Sequence, residues 1–71
     1  MATPLIAPMV GKVLKVEKNL GDRVEEDEVV IVMEAMKMEI PVVAPTSGIL
    51  KEIKVSPGQA VEAEDILAEV E

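Results

Sequence analysis

The sequence overlays on itself without a gap when it is shifted by 37 positions. The residues that coincide include glycines, prolines, valines and glutamates: Ala7-Pro8 with Ala44-Pro45, Gly11 with Gly48, Gly21 with Gly58, and Val24-Glu25 with Val61-Glu62. A repeat of this length is one supersecondary unit whose apolar face needs a partner. The two copies are therefore predicted to pack against each other around an approximate two-fold axis, so that residues 1–71 form a single domain.

The apolar positions kept in both copies predict the core. They are the pairs Ile6/Val43, Val13/Leu50, Val16/Ile53, Val29/Ile66, Val30/Leu67 and Met33/Val70. The chain has no Phe, Trp or Tyr, so aliphatic residues and methionine must fill the interior. A chain of this size buries only about 60% of the surface that its unfolded form exposes, so the core is expected to be thin.

Short apolar runs separated by turn signals predict strands. The runs are Leu5–Ala7, Lys12–Glu17, Val29–Met33, Met38–Val43, Ile49–Val55 and Ile66–Val70, with two shorter strands at Val24 and Val61. Ser56-Pro57-Gly58-Gln59 has the type II turn pattern, and its repeat partner Asn19-Leu20-Gly21-Asp22 keeps the glycine. Each copy thus supplies about four strands, which indicates an all-β sandwich or flattened barrel. A helix over Val29–Glu39 is the competing interpretation, but β-branched residues precede it and Pro41 follows.

The residue types that are missing exclude most catalytic chemistry. The chain has no Cys and no His, which excludes disulfides, thiolate or imidazole metal sites, and Ser–His or Cys–His nucleophile systems. The formal charge of −7 argues against nucleic acid and against anionic membrane surfaces as partners. The N-terminal residues do not resemble a signal peptide, and no apolar run approaches the roughly 20 residues that span a bilayer. We expect a cytoplasmic protein.

One of the six lysines has an unusual position. The segment Ala35–Pro41 joins the two copies, and Lys37 lies between two runs that are predicted to be adjacent antiparallel strands, which places it at the tip of a hairpin. Met36-Lys37 is a poor choice for a tight turn, so a functional demand is a fair hypothesis. Most lysines in turns are simply solvated, and Met33 is expected in the core. A copper site of Met36 and Met38 has no His or Cys to complete it.

Glu34-Ala35-Met36-Lys37-Met38-Glu39 resembles the biotin attachment motif of the biotinyl domains of biotin-dependent carboxylases, transcarboxylases and decarboxylases. The resemblance extends over almost the whole chain, including the paired Ala-Pro and glycine positions. It implies a flattened barrel of two four-stranded antiparallel sheets, with covalent biotin on Lys37 at an exposed hairpin. The gapless repeat leaves no room for the protruding thumb of some members, so the chain is similar to the thumbless type.

The resemblance also implies roles and partners. A biotin protein ligase would form an amide on Lys37, recognising it through Glu34, Ala35, Met36 and Met38. The biotin would then carry a carboxyl group from a biotin carboxylase to a carboxyltransferase. The domain would be a monomeric carrier, with no catalytic residue of its own, and would contribute proximity.

Two other functions stay open at this point. A lipoyl domain has the same fold and lysine position, but it usually has Asp before the lysine and Ala or Val after it, and a few small members accept both groups. An unmodified structural or interaction module is the other alternative, and it would not need methionine on both sides of Lys37.

Overall fold

A computed structural model describes residues 2–71, and these contain eight strands and no helix. The strands are β1 (Thr3–Ile6), β2 (Gly11–Val16), β3 (Arg23–Val24), β4 (Val29–Ala35), β5 (Met38–Val43), β6 (Gly48–Ile53), β7 (Ala60–Val61) and β8 (Ile66–Val70). Each sequence copy supplies four of them, as predicted. The described residues accordingly include no helix that could cross a membrane.

The strands form two four-stranded sheets, in the orders β1-β8-β6-β3 and β5-β4-β2-β7. Every pairing is antiparallel. Moving each strand to its counterpart 37 residues away, β1 to β5 and so on, converts one order into the other. Each sheet therefore contains two strands from each copy, and neither copy could form a sheet of this kind alone. The predicted all-β fold of two four-stranded sheets is confirmed.

Repeated turns tie the two copies together. Gly21 and Gly58 both have φ of 90°, the left-handed conformation that the type II pattern requires. The N–H of Gly21 donates to the Leu50 carbonyl at 2.8 Å, and the N–H of Gly58 donates to the Val13 carbonyl at 2.7 Å. Each turn thus hydrogen-bonds to a strand of the other copy, and the two contacts are equivalent under the repeat.

Four of the six predicted core pairs lie in or against the core. Val13/Leu50, Val30/Leu67 and Met33/Val70 are fully buried, and Val16/Ile53 pack partly buried against them. The other two predicted pairs are wrong: Ile6 is 45% exposed, Ile66 is 44% exposed, and their counterparts Val43 and Val29 are only half-buried.

Strand alternation and two register shifts explain the two wrong pairs. Leu5 and Val42 point inward, so their neighbours Ile6 and Val43 face outward. The β4–β5 register shifts between Val29 and Ile31, and β4 buries four consecutive residues, 30–33, directly after the half-buried Val29. The β1–β8 register shifts between Leu5 and Ile6, and the exposed residues Ile6 and Ile66 pair with each other at this shift. Periodicity alone does not reveal such a shift.

The outer strands β1 and β5 each contain a proline at the equivalent position, Pro4 and Pro41. Proline has no N–H to donate, and at an edge it prevents another strand from adding to the sheet. Pro41 thus lies within β5 and outside the connection between the copies, which is shorter than the predicted segment Ala35–Pro41.

Candidate functional site

The connection between the two copies is a two-residue turn. Ala35 and Met38 form the last pair of the β4–β5 hairpin, which leaves Met36 and Lys37 as the turn residues, here named the tip. Their φ angles are 52° and 66°, so both hold the left-handed conformation of a type I′ turn. The predicted hairpin with Lys37 at its tip is confirmed. The expected mismatch between these residues and a tight turn is also present, because neither is Gly, Asn or Asp.

The side chains around the tip divide into one buried residue and several exposed ones. Ala35 is buried, whereas Lys37 and Glu34 are exposed. The side chains of Met36 and Met38 are 85% and 61% exposed, although a solvated tip would normally be polar. The five residues predicted for the site therefore lie together on one short hairpin, and four of them are accessible to another protein.

A glycine supports the hairpin from the neighbouring strand. A side chain at Gly11 would place its Cβ 2.5 Å from the Glu34 carbonyl oxygen and 3.3 Å from Ala35 Cβ. Strand β2 can approach β4 this closely only because Gly11 has no side chain. Sequence reasoning did not include Gly11 in the site, although its identity with Gly48 in the repeat was the available signal.

The ion pairs of the other lysines lie away from the tip. Lys15 pairs with Glu17, Lys18 with Glu28, and Lys54 with Glu52 and Glu69. Across residues 2–71, Lys37 has no carboxylate partner within 4.0 Å.

The contact between Lys18 and Glu28 shifts the pKa of both groups. The Lys18 ammonium lowers the pKa of the Glu28 carboxyl by a hydrogen bond, to which the Glu25 backbone N–H adds, and Glu28 in turn raises the pKa of Lys18. No cluster of three or more His, Cys, Asp or Glu residues that could hold a metal ion occurs in the described part of the chain.

The arrangement is an accessible primary amine on a tightly turned hairpin, without a nucleophile–base pair beside it. A family model described as "Biotin-requiring enzyme", of the biotin/lipoyl family, matches residues 3–70. The chain belongs to this family. The biotin/lipoyl family match covers both repeats and the tip, so it applies to the whole domain and not to one motif.

Three relatives illustrate the match to the biotin/lipoyl family. The biotin/lipoyl attachment protein of Bacillus subtilis is 45% identical over 87% of this chain and 85% of its own length. The biotin carboxyl carrier protein of Streptococcus mutans is 47% identical over 93% of this chain, which spans 51% of that protein. The crystal structure of Kluyveromyces lactis urea carboxylase superposes with a TM-score of 0.94 at 37% identity, over 99% of this chain and 6% of that one.

Proposed function

We propose that this chain is a biotin carboxyl carrier domain and that Lys37 is the residue to which biotin is covalently attached. The observation that carries the proposal is the exposed amine at the tip of the central hairpin of a biotin/lipoyl family domain. The domain, residues 1–71, carries the group for enzymes whose active sites lie elsewhere.

The geometry of the tip fits an attachment site. An amide to the Lys37 Nζ needs an amine that an enzyme can reach without unfolding the carrier, and the tip lies outside both sheets. No carboxylate of residues 2–71 lies within 4.0 Å of the Lys37 amine to accept its proton. The acylating enzyme therefore supplies the activated acyl group and accepts the proton, and Lys37 is an acceptor and not a catalytic residue.

The fold contributes reach and rigidity. Attached biotin supplies a ring nitrogen that holds a carboxyl group between two enzyme sites. The β4–β5 hairpin fixes the root of the lysine arm, while the arm itself stays free in solvent. Tethering raises the effective concentration of the group at each partner site. The proposed partners are a biotin protein ligase, a biotin carboxylase and a carboxyltransferase, each meeting a monomeric carrier.

The proposed recognition residues flank the lysine. Met36 and Met38 offer flexible, polarizable apolar contact to an enzyme that covers the tip. The small side chain of Ala35 is buried beneath the turn, and Glu34 presents a carboxylate one residue before it. Under conditions where each variant is folded, Met36→Thr and Met38→Thr should slow biotinylation. An unchanged ligation rate in both variants would contradict this role.

Intact mass measurement tests the attachment site. After incubation with biotin, ATP and a purified biotin protein ligase, the chain should gain one biotin. Lys37→Arg should gain none, while the matched variant Lys51→Arg, at another exposed lysine, should still gain one. A label on any residue other than Lys37 would overturn the proposal.

The second candidate function is a carrier of lipoate, or of both lipoate and biotin. The relative from Bacillus subtilis supports considering it, because that protein is named a biotin/lipoyl attachment protein. The same mass measurement with lipoate and a lipoate ligase separates the cases. Modification by biotin alone supports the carboxyl carrier, and modification by both supports a dual attachment protein. A chain that accepts neither group would be an interaction module.

A further inference from the structure

The approximate two-fold symmetry gives most residues near the tip a counterpart at the other end of the repeat. The Met33–Ile40 pair, three residues from the tip on each strand, corresponds to the Val70–Thr3 pair. The same backbone environment thus occurs twice, once next to Lys37 and once without a lysine tip. Residues that are the same at both ends can be explained by the fold alone. Residues that differ at the end with Lys37 are candidates for a role in the function of the tip.

The loop before β2 and its repeat counterpart, the loop before β6, differ in polarity. The loop before β2 lies near the tip and contains Met9 and Val10, and Val10 is 61% exposed. The counterparts of these two residues, in the loop before β6, are Thr46 and Ser47. An exposed apolar residue therefore occupies the end with the lysine, and a polar residue occupies the end without it.

The polar version of this loop is tied into the fold by hydrogen bonds. The N–H of Glu26 donates to Ser47 Oγ at 3.0 Å, and the Ser47 hydroxyl donates to the Glu25 carboxylate at 3.3 Å. At the tip end, Val10 takes the place of Ser47, and without a hydroxyl it can neither accept from the Ala63 N–H nor donate to the Glu62 carboxylate. A hydrogen-bonded serine is therefore compatible with the fold at this repeat position. The fold itself does not require the exposed valine at position 10.

Strand register places Val10 beside the tip. Lys12 pairs with Glu34, and the next residue back, Gly11, lies against Ala35. Because the two strands are antiparallel, Val10, the residue before Gly11, lies at the end of β2 nearest the tip. We name the exposed apolar residues Val10, Met36, Met38 and Ala63 the tip patch.

We propose that the tip patch is the docking surface for the enzyme that acylates Lys37, with Val10 as a specificity-determining contact outside the hairpin. This inference rests on the proposed function. Lys12 and Lys51 are also exposed amines, so an acylating enzyme must distinguish Lys37 by the surface around it. After acylation the attached group itself identifies the carrier, which is why the ligase needs this surface more than the later enzymes do.

The size of a specific interface supports a surface larger than the tip. Stable complexes bury about 800 Å² of each partner, and even transient ones exceed what a two-residue turn presents. The partner must therefore rest on residues next to the hairpin. Exposed apolar residues that continue from a functional site mark such an interface.

Steady-state ligation kinetics with purified biotin protein ligase test the inference. Val10→Ser, which copies the other end of the molecule, should lower kcat/KM about fivefold through a higher KM, the effect of losing one apolar contact. Leu20→Ser is the matched control, because Leu20 is 64% exposed but lies in the turn against Leu50, away from the tip. It should leave kcat/KM unchanged, and both variants should keep the wild-type thermal midpoint.

The outcomes separate this inference from the proposed function. If the wild-type chain is not biotinylated at Lys37, the proposed function fails. If the wild type is biotinylated and Val10→Ser reacts equally fast, the docking surface is wrong. A normal ligation rate combined with slower carboxylation of the loaded carrier would assign the surface to a carboxylase and would likewise overturn the inference.

Discussion

Met36 combines an unfavourable backbone conformation with an exposed apolar side chain. A positive φ costs a residue with a Cβ about 1 kcal/mol relative to glycine. Met36→Gly should therefore raise the free energy of unfolding by up to about 1 kcal/mol, while removing a side chain from the tip patch. Urea unfolding measures the first effect, and ligation kinetics should show a fall in kcat/KM.

Met38→Gly is the control for that prediction. Met38 lies in β5, where φ is not positive, so glycine should lower stability by about 0.5–1 kcal/mol there. If Met36→Gly also lowered stability, the tip would not be strained. If it left ligation unchanged, Met36 would have no part in recognition.

Residue identities predicted some backbone conformations and not others. Gly21 and Gly58 were assigned to turns because glycine is the residue that favours positive φ. Asp27 and Glu64 are also equivalent under the repeat and have φ of 70° and 71°. Aspartate tolerates this conformation but glutamate does not indicate it, so the pair was not predicted. Their N–H groups donate to the carbonyls of Ala44 and Ala7, and these contacts between the copies hold the turns in place.

At the level of elements, the approach of β2 to β4 determines how firmly the hairpin is held. Gly11→Ala places a methyl group against the Glu34 carbonyl, and Gly48→Ala does the same against the Glu71 carbonyl, 2.7 Å away. Both variants should lose stability, by about 1–3 kcal/mol from overpacking. Only Gly11→Ala displaces the hairpin, so it alone should slow ligation under conditions where both variants are folded.

Gly48→Ala makes that comparison informative. A general loss of stability would slow ligation equally in both variants. Equal ligation rates would therefore show that the spacing between β2 and β4 does not position Lys37. Thermal unfolding gives the stability of each variant, and intact mass at fixed times gives the rate.

The ion pair between Lys18 and Glu28 links the end of β2 to the start of β4. The lowered pKa of Glu28 means that its contribution to stability is present above the unfolded value, near 4.5, and is lost as pH falls through the folded value. The raised pKa of Lys18 means that its contribution is present below 10.5 and is lost as pH rises through its folded value. The stability difference between wild type and Glu28→Gln should therefore form a plateau that declines at both extremes.

Asp65→Asn provides the comparison for the pH prediction. Asp65 is the repeat counterpart of Glu28 and accepts the same turn bond, from the Glu62 N–H at 2.9 Å. The counterpart of Lys18 is the buried Val55, so no lysine acts there. Asp65→Asn should consequently show no alkaline decline. An alkaline decline in both variants would contradict the assignment to Lys18.

For the molecule as a whole, the repeat allowed most of the fold to be predicted. A gapless shift of 37 residues aligned eight short strands and placed the tip at their central connection. The errors came from features that need three-dimensional register: the shift at Val29 in β4, the shift between β1 and β8 where Ile6 pairs with Ile66, and the close contact at Gly11. The tip patch could not be predicted from the sequence either, because Val10 is 27 residues away from Lys37 along the chain.

The repeat also leaves a gap that an engineered chain could fill. Two copies of 37 residues would make 74, and the chain has 71. Glu71 is the counterpart of Glu34, so Ala35, Met36 and Lys37 have no counterpart among these 71 residues. An inserted Ala-Met-Lys segment could join Glu71 to Met1 and cyclise the backbone. The cyclised chain would then contain a second Glu-Ala-Met-Lys-Met sequence, at the repeat position equivalent to the first.

The cyclised chain tests whether the hairpin alone is sufficient for recognition. The second tip would be flanked by Ser47 and Glu26, where the first has Val10 and Ala63. If the tip patch binds the ligase, the inserted lysine should gain biotin at least about fivefold more slowly than Lys37, and Ser47→Val with Glu26→Ala should restore the rate. Peptide mapping after partial reaction measures both sites in one molecule, so differences in stability cannot affect the comparison. Equal biotinylation of the two lysines would show that the ligase recognises the hairpin alone and that Val10 does not contribute to recognition.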